Sequence, residues 1–274
     1  MTTTPGLYVT HLVVPKQGST AGECEDAVCV LPETPFDELI AGPVAASVCD
    51  GATESVLAKD WARLLATAAA ARALSDPGFF ETGSAFEEFA AHVVSSWDPW
   101  LDEYAHHREA EGRPLRWYEQ EKLRGSTFAT MLSVLVTPDD GIGWRWQAAA
   151  LGDSCVFHVR GDQTLTAFPV LSADEFGMNP NLFGSRNRDT ALLAERTRFI
   201  EGVCVPGDRL LLMSDALAAW FMAAPDQAVA LGELLEFGGP HDAVGFADWL
   251  DKLRLEHELR NDDVALIRID FEGR

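Results

Sequence analysis

Five times in this 274-residue sequence an apolar, strand-like run ends on or starts from an acidic residue. Glu25-Asp26 opens AVCVL, Asp50-Gly51 follows VAASVC, Asp153-Ser154 follows AAALG, Asp215 follows LLLMS, and Asp262-Asp263 leads into VALIRI. Singly, each has a bland explanation. Asp is a favoured turn and N-cap residue, and Asp215 stands where it could cap a helix beginning at Ala216. As a group they ask for more. Strand ends of one sandwich can converge on one edge, where carboxylates repel each other unless cations neutralise them. An oxygen-only ligand set selects hard ions, Mg2+ or Mn2+. The seven histidines, including His106-His107, fall outside HExxH or HxxxH spacing and read as surface or core residues, so no zinc cage is offered. Other phosphoryl-transfer chemistries lack their signatures as well: no cysteine begins a C-x5-R loop, and D-x-D-x-T and GxxxxGK[ST] are absent.

The elements that must position these residues are mostly strands. Runs rich in Val, Leu and Ile start at Leu7, Ala27, Val44 and Thr127, and again at Trp144, Cys155, Arg198, Arg209 and Val264, with turns at Gly161-Asp162 and Pro206-Gly207-Asp208. Amphipathic helical blocks are predicted from Ser55 to Leu74 and from Ala85 to Leu123, the second broken near Pro99 and Pro114. A third runs from Ala216 to Leu259 and breaks at Gly238-Gly239-Pro240. Trp97 and Trp100, three apart beside Pro99, read as core or a helix seam rather than a binding platform. Strands, helices, strands, helices and a closing strand predict an α+β fold, a four-layer α/β/β/α sandwich with two central, mainly antiparallel sheets and helices outside.

Bulk composition narrows the partners. With 47% hydrophobic residues, no linker-like stretch and no repeat, the chain is expected to form a single domain over residues 1–274. Lys plus Arg is 21 against 43 Asp plus Glu, a formal charge of −22, which would repel nucleic acid and anionic membranes. The start MTTTPGLYVTHLVV lacks a signal-peptide pattern, and no apolar run approaches the ~18 residues of a membrane span, so a soluble, cytoplasmic protein is expected. The five cysteines lack CxxC spacing and read as buried free thiols. The excess of Arg over Lys and the abundant Ala fit a GC-rich bacterial genome.

The order of these motifs resembles the metal-dependent protein phosphatases of the type 2C class. The likeness spans nearly the whole chain and rests on Glu25-Asp26, Asp50-Gly51, Gly125-Ser126-Thr127, Gly152-Asp153-Ser154, Ser214-Asp215 and Asp262-Asp263 in that sequence order. It implies that Asp50 bridges two Mg2+ or Mn2+ ions while the Gly51 carbonyl, Asp215 and Asp262 complete their coordination. Glu25 and Asp26 would act through water. Asp153 matches the position of a third, weaker metal, although such a turn also arises for structural reasons. Gly125-Ser126-Thr127 reads better as a turn feeding a buried strand.

The implied activity is hydrolysis of phosphate monoesters, on phosphoserine or phosphothreonine of proteins, by a metal-bridging hydroxide that attacks in line. The implied partners are a phosphoprotein substrate and a cognate serine/threonine kinase. Two positions depart from the family. Its phosphate-holding Arg corresponds to Ala21, with Lys16 the nearest upstream cation, and its leaving-group His corresponds to Ala52, leaving water, Thr53 or Glu54 to substitute. Those losses keep open a second reading, a phosphatase-like regulatory or sensor module of weak or no activity. The segment Ser172–Asn187 falls where the family carries a variable flap. Its Arg186, with Arg188 just beyond, could meet a phosphopeptide or simply be solvated.

Overall fold

The computed structural model describes residues 6–53, 55–139, 143–177 and 180–273. Its strands are β1 (Gly6–Val14), β2 (Asp26–Leu31), β3 (Val44–Asp50), β4 (Phe128–Ala129), β5 (Met131–Asp139), β6 (Gly143–Leu151), β7 (Cys155–Arg160), β8 (Gln163–Phe168), β9 (Phe183–Gly184), β10 (Arg198–Cys204), β11 (Asp208–Met213) and β12 (Val264–Glu272). The helices are α1 (Ala58–Ser75), α2 (Gly83–Ala110), α3 (Trp117–Leu123), α4 (Thr190–Arg196), α5 (Asp215–Ala223), α6 (Gln227–Leu235) and α7 (Ala243–Leu255). One sheet runs β1-β12-β11-β7-β8 and the other β10-β6-β5-β3-β2. Their ladders are antiparallel.

The expected four layers follow from alternation along the strands. Val44, Ala46 and Val48 of β3 meet Leu210 and Leu212 of β11 and Ala265, Ile267 and Ile269 of β12 in the core between the sheets. Their alternates point outward. Ala45 and Cys49 pack under α1 and α2, while Leu211, Met213 and Leu266 pack under α5, α6 and α7. Helix α1 buries Ala58, Trp61, Ala62, Leu65, Ala66, Ala69, Ala70 and Ala73. Small residues at three- and four-residue spacing let its backbone lie close to the sheet.

Several elements differ from the expectation. Helix α2 runs through Pro99 without ending. Its buried stripe of Phe86, Phe89, Ala90, Val93, Trp97 and Leu101 continues across the proline, and Trp97 stacks on Trp100 at 5.0 Å and meets Trp61 edge-on at 5.4 Å. That apolar burial outweighs the ~3 kcal/mol cost of an interior proline. The tryptophans are core and seam, as expected. Strand β8, whose alternation is blurred by Gln163, Thr164 and Thr166, and helix α4 have no counterpart in the sequence reading. The block after Asp215 also breaks between α5 and α6, at Ala224–Asp226. Four cysteines are buried, Cys29 is half-buried and all are free. No helix of the described residues is long and apolar enough to cross a membrane.

A buried polar cluster ties β7 to β11. Asp208 accepts hydrogen bonds from Arg160 Nε at 2.7 Å, Arg160 Nη2 at 2.8 Å, the Val205 amide at 2.9 Å and, at 2.9 Å, pairs with His158 Nε2. Against its burial, these donors hold the Asp208 carboxyl down to about 2. Its stabilising effect is therefore complete above the unfolded-state value near 4 and is lost as pH falls through about 2. Asp208→Asn is expected to lower the unfolding free energy by about 3 kcal/mol, measured by urea unfolding at neutral pH. An unchanged midpoint and slope would show the cluster to be dispensable.

Candidate metal centre

The acidic residues do converge, and the backbone shows how. Asp26 and Asp50 are register partners on β2 and β3. Beyond Asp50 the chain is held by a backbone and side-chain lattice: Thr130 N donates to the Asp50 carbonyl at 2.8 Å, and Asp50 N donates to Thr130 Oγ1 at 3.0 Å. Thr130 Oγ1 in turn pairs with Ser154 Oγ at 2.8 Å, linking this end of β3 to the turn that carries Asp153. Gly51 is fixed by space, since a Cβ there would stand 2.9 Å from the Ala58 carbonyl and 3.0 Å from that of Glu25. Gly152 is needed for space as well, since a Cβ there would stand 2.7 Å from the Thr130 side chain, and for its backbone. Its φ of +115° is a left-handed conformation that L side chains rarely adopt, and the Asp153 that follows it is buried.

Asp215 and Asp262 arrive from adjacent strands. Ser214 N donates to the Ala265 carbonyl at 3.1 Å and Ala265 N to Ser214 Oγ at 2.9 Å, locking the end of β11 to the start of β12. Asp215 does not cap a helix. It is the first residue of α5, with Ser214 at the N-cap, and its carboxylate lines the cleft, where Arg260 donates to it. Asp262 sits in the turn before β12, where Arg254 Nη2 donates to its carbonyl at 2.7 Å. Asp50, Gly51, Asp153, Asp215 and Asp262 line one cleft of about 460 Å3. Asp26 lies beside Asp50 without lining that cleft, and Glu25 faces Lys16 at 3.3 Å.

The electrostatics of this edge are costly. Burial pushes the Asp50 carboxyl well above the usual range, and Asp26, Asp215, Asp262 and Asp153 push it further. Burial does the same to Asp26, with Asp215, Asp263 and Asp262 adding to it. The Ser214 hydroxyl offsets part of that rise without reaching hydrogen-bond geometry, so both Asp26 carboxylate oxygens lack a partner. Burial and then Asp215 lift Asp153 to about 6, and its Oδ1 also lacks a partner. Asp262 is raised by burial and Asp215. In the cleft, Asp153 Oδ1 is buried without a partner and the carboxylates of Asp50, Asp153 and Asp262 are destabilised by burial and by their acidic neighbours, an all-oxygen donor set that suits Mg2+ or Mn2+.

Three residues position or neutralise this edge in ways the sequence did not assign to them. Asp263 is a clamp: its Oδ1 accepts from Lys16 N and its Oδ2 from Glu25 N, both at 2.7 Å, tying the loop after β1 to the β12 turn. Lys16 Nζ reaches Glu25 Oε2 at 3.3 Å and Thr53 Oγ1 at 3.4 Å. Arg260 pairs with both Asp215 and Asp262. Apart from the Arg260–Asp262 and Lys16–Glu25 pairs, these contacts join distant parts of the chain. Elsewhere, Thr127 and Ser126 serve the turn, Thr127 Oγ1 donating to the Val56 carbonyl at 2.7 Å and Ser126 Oγ accepting from Arg186 N at 3.3 Å. Arg186 is committed to Asp98 at 2.6 Å and to the Gly125 and Leu123 carbonyls. Glu54 and two residues of the flap segment, Met178 and Asn179, lie outside the described residues.

Among the described residues, the group whose ligand atoms all lie within 4.8 Å of one another is a different one, His158, Cys204 and Asp208, all buried. Its carboxylate already accepts from a guanidinium, an amide and an imidazole. Arg160 supplies the charge a metal would, which makes this a structural network.

Scans against protein-family models and curated proteins give no match. Solved structures do. A bacterial serine phosphatase is 14% identical over 97% of this chain and 98% of its own, with a TM-score of 0.58. The catalytic domain of the serine/threonine protein phosphatase PstP, solved with two manganese ions, is 15% identical over 97% of this chain and 100% of its own, with a TM-score of 0.54. RsbX, solved with magnesium, is 12% identical over 97% of this chain and 96% of its own, with a TM-score of 0.52. With an α+β sandwich of two antiparallel sheets and structural neighbours of this kind, the chain has the fold of the bacterial type 2C metal-dependent phosphatases.

Proposed function

We propose that this protein hydrolyses phosphate monoesters with Mg2+ or Mn2+ held by Asp50, the Gly51 carbonyl, Asp215 and Asp262, with Asp153 serving a third, weaker position. The observation that carries the reading is the convergence of Asp50, Asp153, Asp215 and Asp262 on one cleft, three of them raised by burial and mutual repulsion. Bound there, the cations would supply a nucleophilic water acidified to neutral pH and offset charge on the phosphoryl oxygens. The chain's own part is positioning. Thr130 fixes the backbone of Asp50, Gly51 lets the chain pass close against the Glu25 and Ala58 carbonyls, and Asp263 pins the Glu25 backbone. Asp26, whose oxygens lack partners, is suited to hold water behind Asp50.

We infer phosphoserine or phosphothreonine of a protein as the substrate, put in place by a serine/threonine kinase in a bacterial cytoplasm. A second cleft, of about 600 Å3, shares Ala52, Thr53 and Leu182 with the first and extends toward Val56, Lys122 and Phe128. A path of that extent suits an extended peptide better than a small ester. Ala52 brings no proton to the leaving group, so alkyl phosphates should turn over more slowly than aryl ones relative to enzymes that carry an acid there.

The test is Mn2+-dependent phosphate release from an aryl phosphate and from a phosphothreonine peptide by the native protein and by Asp215→Asn. Turnover of both, lost in the variant, is the expected result. Turnover of the aryl ester alone would replace the protein substrate with a small one, and turnover of neither would leave a regulatory module.

A further inference from the structure

Among the cations near the cleft, Arg260 has an unusual pair of partners. It stands two residues before Asp262, its Nη2 donates to Asp215 Oδ2, and the same nitrogen lies 3.0 Å from Asp262 Oδ2. These are the two carboxylates that the proposed function makes terminal metal ligands, and this inference rests on that reading. A guanidinium makes charge-assisted bonds to the same oxygens that a divalent ion would take. Its charge also reaches Asp50 and Asp153.

The neighbouring cations are tied elsewhere. Arg254 is buried and holds Asp251 and the Asp262 carbonyl, Arg186 holds Asp98, and Lys16 spans Glu25 and Thr53. The Arg260 guanidinium has no hydrogen-bond partner among the described residues besides Asp215, its side chain is 51% exposed, and it lines the cleft itself. A cation held only by metal-ligand carboxylates loses its partners when a metal takes them, and it then stands in the cleft with an unsatisfied fork.

We propose that Arg260 is an exchangeable counter-ion. It neutralises Asp215 and Asp262 in the metal-free protein, releases them to the entering divalent ion, and then turns into the cleft to bind the phosphoryl oxygens of the substrate. The exchange makes metal loading and phosphate binding cooperative, because each favours the state in which the guanidinium has left the carboxylates.

The experiment is calorimetric titration of Mn2+ into the chelator-stripped full chain, native, Arg260→Gln and Arg260→Lys, followed by titration of inorganic phosphate into the Mn2+-loaded proteins. Circular dichroism confirms that each variant is folded. Arg260→Gln is expected to bind Mn2+ about tenfold more tightly than the native protein and phosphate at least about tenfold more weakly, with Arg260→Lys between them. Equal or weaker Mn2+ binding by folded Arg260→Gln overturns the counter-ion role, and unchanged phosphate affinity overturns the phosphate role. If neither protein binds Mn2+, the metal reading falls and this one with it. If both bind Mn2+ and phosphate as described but hydrolyse nothing, the hydrolase reading fails while the role of Arg260 stands.

Discussion

Asp50→Asn is expected to reduce Mn2+-dependent phosphate release by at least about a hundredfold, because loss even of residues that only orient metal ligands costs 10- to 100-fold. The same substitution is expected to raise the melting temperature of the metal-free protein. Asp50 is buried among Asp26, Asp215, Asp262 and Asp153, and its carboxyl is pushed up by burial and by all four. An amide of the same shape removes that repulsion and keeps the backbone bonds to Thr130, which do not involve the side chain. Activity and stability then move in opposite directions, the behaviour of a residue kept for chemistry at the expense of the fold. Thermal melting without metal, beside phosphate-release assays with Mn2+, reads both. A variant that melts lower and keeps its turnover would remove Asp50 from the proposed centre.

The sequence made the sheets and the acidic edge legible for one physical reason. Strands such as VAASVC and RLLLM bury both faces, so they appear as uninterrupted apolar runs, and an Asp at the end of such a run stands out. The pairing of Asp26 with Asp50, and of the Asp215 strand with the Asp262 strand, then brings the group together. What stayed hidden depended on distance along the chain or on competing energies. The Asp263 clamp on Lys16 spans 247 residues, and no periodicity reports it. Arg260 meets Asp215 across 45 residues, a contact that no local pattern announces. Pro99 misled because a local helix breaker was weighed without Trp61, its neighbour Trp97's partner from another helix. Asp215 as a cap misled by one residue, since Ser214 takes that place.

The metal-free protein should lose stability as pH rises from about 4 to about 7, the reverse of most proteins stabilised by ion pairs. Asp153 is lifted from 3.8 to about 6 by burial and then by Asp215. In that window the folded chain keeps a proton that the unfolded chain has released, so the stabilisation is complete below the unfolded value and disappears as pH passes through the folded one. For Asp153 alone the difference corresponds to about 3 kcal/mol, or about 5 °C or more in melting temperature for a chain of this size. Asp26, Asp50 and Asp262 shift in the same direction and extend the effect. Asp208 acts in a separate window, between about 4 and 2, and with the opposite sign, so the two effects can be told apart in one pH series. Saturating Mn2+ should reverse the trend, because cations bind the ionised carboxylates and their binding strengthens as protons leave. The gap between melting curves with and without Mn2+ should therefore widen from pH 5 to pH 7.5. A metal-free curve that is flat or rising over that range would mean the carboxylates do not repel one another as their placement requires, and the case for a cation site at this edge would lose its main physical support.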